Sequence, residues 1–138
     1  MQTVLTYLAL LLTTWFLGAQ NSVAVTITGF DSNNGNVKIG LYNSEDSFLK
    51  SPFKAATKPV VGEKVQITFT NIPEGVYAIS VFHDEDADHI FDMYLGLLPA
   101  EDYGTSNNAF NPFGPPQWKN AVFEVGTGDV VQQEIRIR

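Results

Sequence analysis

From Val23 the chain alternates with a period of two. Val23, Val25 and Ile27 are separated by Ala24, Thr26 and Thr28, the pattern of a strand with one buried face. After Asn33-Asn34-Gly35-Asn36 the alternation resumes, with Val37, Ile39 and Leu41 on one side and Lys38, Gly40 and Tyr42 on the other. Asn-Gly supplies the positive φ angles of a tight turn, so these two strands are expected to pair as an antiparallel hairpin. Val65, Ile67 and Phe69 alternate just as cleanly with Gln66, Thr68 and Thr70.

The run from Gly75 to His83 (GVYAISVFH) is apolar on both faces, which predicts a central strand covered on two sides. Alternation returns in Ala121, Phe123 and Val125. At the end of the chain Val131, Ile135 and Ile137 point inward, while Gln132, Glu134, Arg136 and Arg138 point out.

Between these strands the pattern fails twice. In residues 43–62, Ser44 can cap one helical turn, while Pro52 and Pro59 break anything longer. Phe48, Leu49 and Phe53 are expected to plug one end of the core. Residues 93–119 hold no period and are rich in Gly, Pro, Asn and aromatics; so long an irregular stretch in a small domain is often functional. Short strands with no long helix predict an all-β fold: an antiparallel Ig-like or transthyretin-like β-sandwich of about seven strands.

The first residues follow a different rule. Residues 1–20 (MQTVLTYLALLLTTWFLGAQ) contain no charged side chain, and their apolar run ends in Gly18-Ala19. That is the layout of a signal peptide and its cleavage site. The run is interrupted by threonines and short for a span of ~20 residues. The expected organisation is a signal peptide over 1–19 and one domain over 20–138, periplasmic or secreted, with no stable membrane insertion after cleavage.

Composition narrows the functional classes. Fifteen acidic against eight basic side chains give a net charge of −7, which disfavours nucleic acid and anionic membranes and favours cations. The absence of cysteine excludes disulfides, thiolate metal sites and a cysteine nucleophile.

The acid is concentrated where the central strand ends, in His83-Asp84-Glu85-Asp86-Ala87-Asp88-His89-Ile90-Phe91-Asp92. Asp84, Asp86, Asp88 and Asp92 occupy relative positions 1, 3, 5 and 9, the spacing with which a curled loop turns alternate carboxylates onto Ca²⁺, and the Ile90 carbonyl falls at position 7. Two positions depart from that pattern: His89 stands where a glycine is usual, and Leu95 where a bidentate glutamate closes the site. Glu101 or Asp102, from the next loop, is the expected replacement. Two other readings stay open: a solvated acidic loop without an ion, and a site in which His83 or His89 joins an aspartate.

A further set of motifs follows the central strand: Gly75-Val76-Tyr77-Ala78, His83-Asp84, Asp92, Gly96 with Pro99, Glu101-Asp102-Tyr103-Gly104-Thr105-Ser106-Asn107-Asn108, and Gly114-Pro115-Pro116-Gln117-Trp118. With these, the chain from Val37 to Arg138 resembles the bacterial DUF2141 proteins. The resemblance implies an exported β-sandwich and brings no activity with it. Relative to the family's usual loop, Asp86 and Asp88 replace Asn, and His89 replaces Gly. The resemblance also directs attention to Glu101, Tyr103, Ser106 and Asn107 as a polar wall beside the aspartates. With His83 and Trp118, the last three make up a candidate surface for a protein or carbohydrate partner.

Catalysis is not expected. His83 and Asp84 are neighbours on a strand and face opposite ways, no nucleophile elbow is present, and the chain ends Glu134-Ile135-Arg136-Ile137-Arg138 rather than in the Tyr-Arg-Gly-Ser of transthyretin-like hydrolases.

Overall fold

The computed structural model describes residues 20–88 and 101–138, with the backbone of 93–94 and 98–99 between them. The expected signal peptide over 1–19, and Ile90 and Asp92, lie outside the described residues. The strands are β1 (Ser22–Thr28), β2 (Asn36–Tyr42), β3 (Lys54–Pro59), β4 (Lys64–Phe69) and β5 (Gly75–Asp84). They continue with β6 (Met93–Tyr94), β7 (Leu98–Pro99), β8 (Tyr103–Thr105), β9 (Phe123–Val125) and β10 (Val130–Arg136). A 3-10 turn at Ser106–Asn108 and one helical turn, α1 (Trp118–Ala121), are the helical pieces among the described residues.

Two sheets face each other, so the chain is the all-β sandwich that the alternation predicts. One sheet has the order β10-β1-β4; the other runs β3-β2-β5-β8, with β9 also on β5. β6 and β7 form a separate two-stranded ladder. The core between the sheets is built from the residues that alternate inward. Val23, Val25, Ile27, Val65, Phe69, Ile135 and Ile137 come from one side, and Val37, Ile39, Leu41, Tyr77, Ile79, Val81 and Val125 from the other. Each aliphatic side chain so buried contributes about 1.5–3 kcal/mol.

Two pairings differ from the sequence reading. β1 and β2 do not form a hairpin: β1 pairs antiparallel with β4 and parallel with β10, whereas β2 lies in the other sheet between β3 and β5. The Asn34-Gly35 turn therefore belongs to a crossing between sheets. β3 was not expected at all. It is an edge strand in which every residue is exposed or half-buried, so it has no apolar period to read.

β5 is central, as its two apolar faces require. Along one edge it pairs with β2, from Tyr42 opposite Ala78 to Asn36 opposite Asp84. Along the other it pairs with β9 at Gly75–Tyr77 and with β8 at Ser80–Phe82. Its outward face carries a second small core of Tyr42, Phe48, Ala78 and Ala121, with Trp118 packed on it. Phe48 reaches this core through the turn capped by Ser44, whose hydroxyl accepts the Ser47 N–H. Leu49 and Phe53 stay about two-fifths exposed, at 39% and 41%, so of the three expected plugs only Phe48 is buried, and it seals the outer face of the sheet.

Gly104 sits where β8 crosses the end of β10. A Cβ there would lie 2.7 Å from the Ile135 side chain, so the glycine permits this approach. Tyr103 and Arg138 exchange backbone hydrogen bonds at 3.3 and 3.1 Å across the seam. β5 thus ends between paired neighbours, and its last two residues are held on a fixed backbone.

Candidate metal centre

Successive residues of a strand point to opposite faces, and β5 ends in His83 and then Asp84, both fully buried. Beyond Asp84 the chain curls. The Ala87 N–H donates to the Asp84 carbonyl at 3.4 Å, and Ala87 adopts φ of 55°. The Asp88 N–H donates to a carboxylate oxygen of Asp84 at 3.2 Å and to one of Asp86 at 3.3 Å. This turn brings alternate aspartates together, with Asp84 at the base and Asp86 and Asp88 at the open side.

Glu101, only 9 % exposed, joins them from the segment before β8. Asp84, Asp86, Asp88 and Glu101 each offer an oxygen, and these oxygens lie within 4.8 Å of one another. Oxygens held about 2.3–2.6 Å from one Ca²⁺ are at most ~5 Å apart, so the four fit a single shell. Ile90 and Asp92, expected at positions 7 and 9, lie outside the described residues. Of the two candidates to replace the missing glutamate, Glu101 faces the aspartates. Asp102, the next residue, is not part of that group and interacts with Asp31 instead.

Without a cation this arrangement is costly. Two carboxylates ~4 Å apart repel by about 1 kcal/mol in bulk water, the limit nearer the exposed Asp86 and Asp88, and by about 4 at an effective dielectric of 20; a buried charge such as Asp84 has also lost much of its hydration. What the four side chains offer is all oxygen and strongly anionic, the ligand set of a hard divalent cation.

The crossing between β1 and β2 is the platform beneath this loop. Gly35 has φ of 66°, and a Cβ there would overlap the Asp84 carbonyl and stand 2.7 Å from that of Glu85. Only a glycine lets the two backbones meet. The neighbouring Asn34 carbonyl accepts a hydrogen bond from His83 Nε2 at 2.6 Å. The Asn-Gly signal was real, and its use is close approach to the acidic loop.

The opposite face of the same backbone carries a second group. The Asp102 carbonyl accepts the His83 N–H at 2.9 Å, placing these residues side by side. The Asp102 carboxyl is held above the ordinary range by burial, by its hydrogen bond with Asp31 and by the charges of Asp31 and Glu85, with His83 pulling the other way. The His83 ring packs edge-on against Phe30 at 5.3 Å, and its Nδ1 lies 3.6 Å from a Glu85 oxygen. Sequence reasoning missed Asp31 in this group; nothing in its local pattern sets it apart.

The expected polar wall and partner surface disperse. Ser106 is fully buried: its hydroxyl donates to the Ala121 carbonyl at 2.5 Å and accepts the Ile79 N–H at 2.9 Å. Asn107 donates to the carbonyls of Asn120 and Val122 and exchanges hydrogen bonds with the Gln133 side chain. Trp118 stacks edge-on against Phe48 at 5.7 Å. These side chains hold the long segment to the sheets, and His83 is interior. Tyr103, half-buried in β8, is the member nearest in sequence to Glu101.

The model of the family described as uncharacterized protein conserved in bacteria (DUF2141) matches residues 25–133. The chain belongs to the DUF2141 family. The match runs from β1 into β10, so it takes in both sheets and all four clustered carboxylates. No curated protein and no solved structure matches this DUF2141 chain.

Proposed function

We infer that this DUF2141 protein is an exported, non-catalytic binding module whose acidic loop takes up Ca²⁺. One observation carries the reading: Asp84, Asp86 and Asp88 converge with Glu101 to within 4.8 Å. The glutamate supplies the ligand that the loop's own spacing lacks. The ion would tie the end of β5 to the segment leading into β8, where loops meet at one end of the sandwich. Loops on a rigid scaffold are the usual place for recognition, and a protein or carbohydrate partner is proposed there. Export to the periplasm or beyond is supported by the uncharged apolar run of residues 1–17 and the Gly18-Ala19 that follows.

The test is a thermal melt of chelator-stripped protein. Ca²⁺ at a hundredfold over its Kd stabilises a folded state by about 2.7 kcal/mol, several degrees in Tm for a domain of this size. Mg²⁺ should give a smaller shift, because it resists giving up its waters to an all-protein cage. A Tm unmoved by millimolar Ca²⁺ would leave a solvated acidic loop, and with it a structural envelope protein.

A further inference from the structure

Strand alternation sends Lys38, Gly40 and Tyr42 of β2, and Ser80 and Phe82 of β5, to the outward face of the five-stranded sheet. The register lays them out in rows. Ala55 of β3, Gly40 and Ser80 stand side by side, and Thr57, Lys38 and Phe82 form the next row. The first row carries only small side chains and makes a trench, flanked by Tyr42 on one side and by Lys38 and Phe82 on the other. The trench encloses about 180 Å³ and opens to solvent. On a scale where one water needs about 10–15 Å³, that is room for a single ring.

Gly40 creates the space. A glycine inside a strand weakens it and often marks a close approach. Here Tyr42 leans back along β2, so that a Cβ at position 40 would lie 3.0 Å from both its hydroxyl oxygen and its ring. Tyr42 is only 8 % exposed. Its hydroxyl bonds to no protein atom among the described residues and reaches the trench that the ring lines. A phenol so enclosed ordinarily has a partner, and the trench is where this one can find it. Ser80 and Thr57 make no side-chain hydrogen bond among the described residues, and Lys38 makes no ion pair there. Three hydroxyls and an ammonium group therefore converge, unspent, on a space with apolar walls, the make-up of a small-molecule site.

Charge sets the class of ligand. Lys38 disfavours a cation. Asp84 follows Phe82 by one step along the same face, ~6.6–6.8 Å, and its cluster of four carboxylates disfavours an anion even with one divalent ion bound. Hydroxyls that both donate and accept match a neutral polyol. We propose that the trench binds a neutral hexopyranose unit, with its hydroxyls bonded to Tyr42, Ser80, Thr57 and Lys38 and a C–H face over Gly40. This site lies on the sheet, apart from the loops, and stands whether or not the acidic cluster takes up Ca²⁺.

The experiment adds the methyl glycosides of glucose, galactose and mannose, and separately glucuronate and glucosamine, to the ¹⁵N-labelled protein and follows its amide shifts by NMR. At least one neutral glycoside at millimolar concentration should move the Gly40, Ala55 and Ser80 amides, and the charged sugars should bind more weakly. Tyr42→Phe keeps the ring and should weaken binding about twofold to tenfold, the loss of one hydrogen bond, with Tm unmoved because no protein contact is lost. Ala55→Trp, at an exposed position on an edge strand, fills the trench and should abolish the shifts. Asp86→Asn/Asp88→Asn should leave them in place, which separates this site from the Ca²⁺ reading. Trench amides unmoved by all three neutral glycosides overturn the proposal, and so do shifts that survive Ala55→Trp. A Tyr42→Phe variant that melts lower but binds as before also overturns it, because the hydroxyl then serves the fold. Glucuronate binding more tightly than the neutral sugars overturns the assigned class.

Discussion

Two irregular segments leave the same sheet, and both are crowded with polar side chains. In the segment 105–121 the polar side chains that bond back to the chain are neutral hydroxyls and amides. Thr105 donates to the Ala109 carbonyl, Ser106 links Ile79 to Ala121, and Asn108 donates to the Glu134 carbonyl and accepts the Arg136 N–H. Hydroxyls and amides both donate and accept, so such a loop can satisfy itself on its own chain. In the segment 84–88 with Glu101, the side chains are carboxylates. Ionised carboxylates accept only, and they repel one another. The first loop is bonded to its own chain, while the second gathers oxygens that could hold a cation. Counting polar residues would rank the two alike; donor and acceptor chemistry separates them.

The largest effect expected from this contrast lies beneath the acidic loop. Gly35→Ala should destabilise the protein by about 3 kcal/mol, from the left-handed backbone cost together with overlap against Asp84 and Glu85. It should also blunt the response to Ca²⁺, and denaturant unfolding with and without the ion measures both. Next in size is the ion itself. The double variant Asp86→Asn/Asp88→Asn should lose the Ca²⁺ stabilisation of about 2.7 kcal/mol. In chelator it should be equal to the parent or more stable by about 0.5–1 kcal/mol, the scale of an exposed charge pair. A variant destabilised in chelator would mean that the aspartates hold the loop by themselves.

The neutral loop should behave in the opposite way. Ser106→Ala strands a buried Ile79 N–H and should cost about 2 kcal/mol, with the Ca²⁺ shift in Tm unchanged. A lost Ca²⁺ response there would erase the distinction between the two segments. The smallest effect concerns Asp102. Its folded pKa is raised, so its contribution to stability is full below the ordinary carboxylate range and is lost as pH rises through the raised value. In chelator, Asp102→Asn should therefore melt slightly above the parent at pH 7, and the gap should close on acidification. A gap that widened as pH fell would reverse the sign.

Alternation revealed β1, β2, β4 and β10 because each has a face buried against the other sheet, and a run apolar on both faces revealed β5. It could not reveal β3, whose Lys54, Ala55, Ala56, Thr57, Lys58 and Pro59 meet mostly solvent. Nor could it reveal the parallel pairing of β1 with β10, which joins residues near opposite ends of the domain and leaves no local mark. Asn34-Gly35 was legible as a positive-φ position but not as a platform, since Asp84 and Glu85 reach it only through the β2–β5 register. Within the site, the spacing of Asp84, Asp86 and Asp88 was plain, and Glu101 could be sought because Leu95 cannot serve at position 12. His83 and Ser106 misled as surface residues, since both are fully buried. Nothing local distinguishes a side chain that recognises a partner from one that ties down its own loop.

A crystal structure of the protein grown with Ca²⁺ decides whether the four carboxylates share one ion. One ion is expected, with oxygens of Asp84, Asp86, Asp88 and Glu101 about 2.3–2.6 Å away. An ion bound without Glu101, or the four carboxylates splayed apart around water, would contradict it.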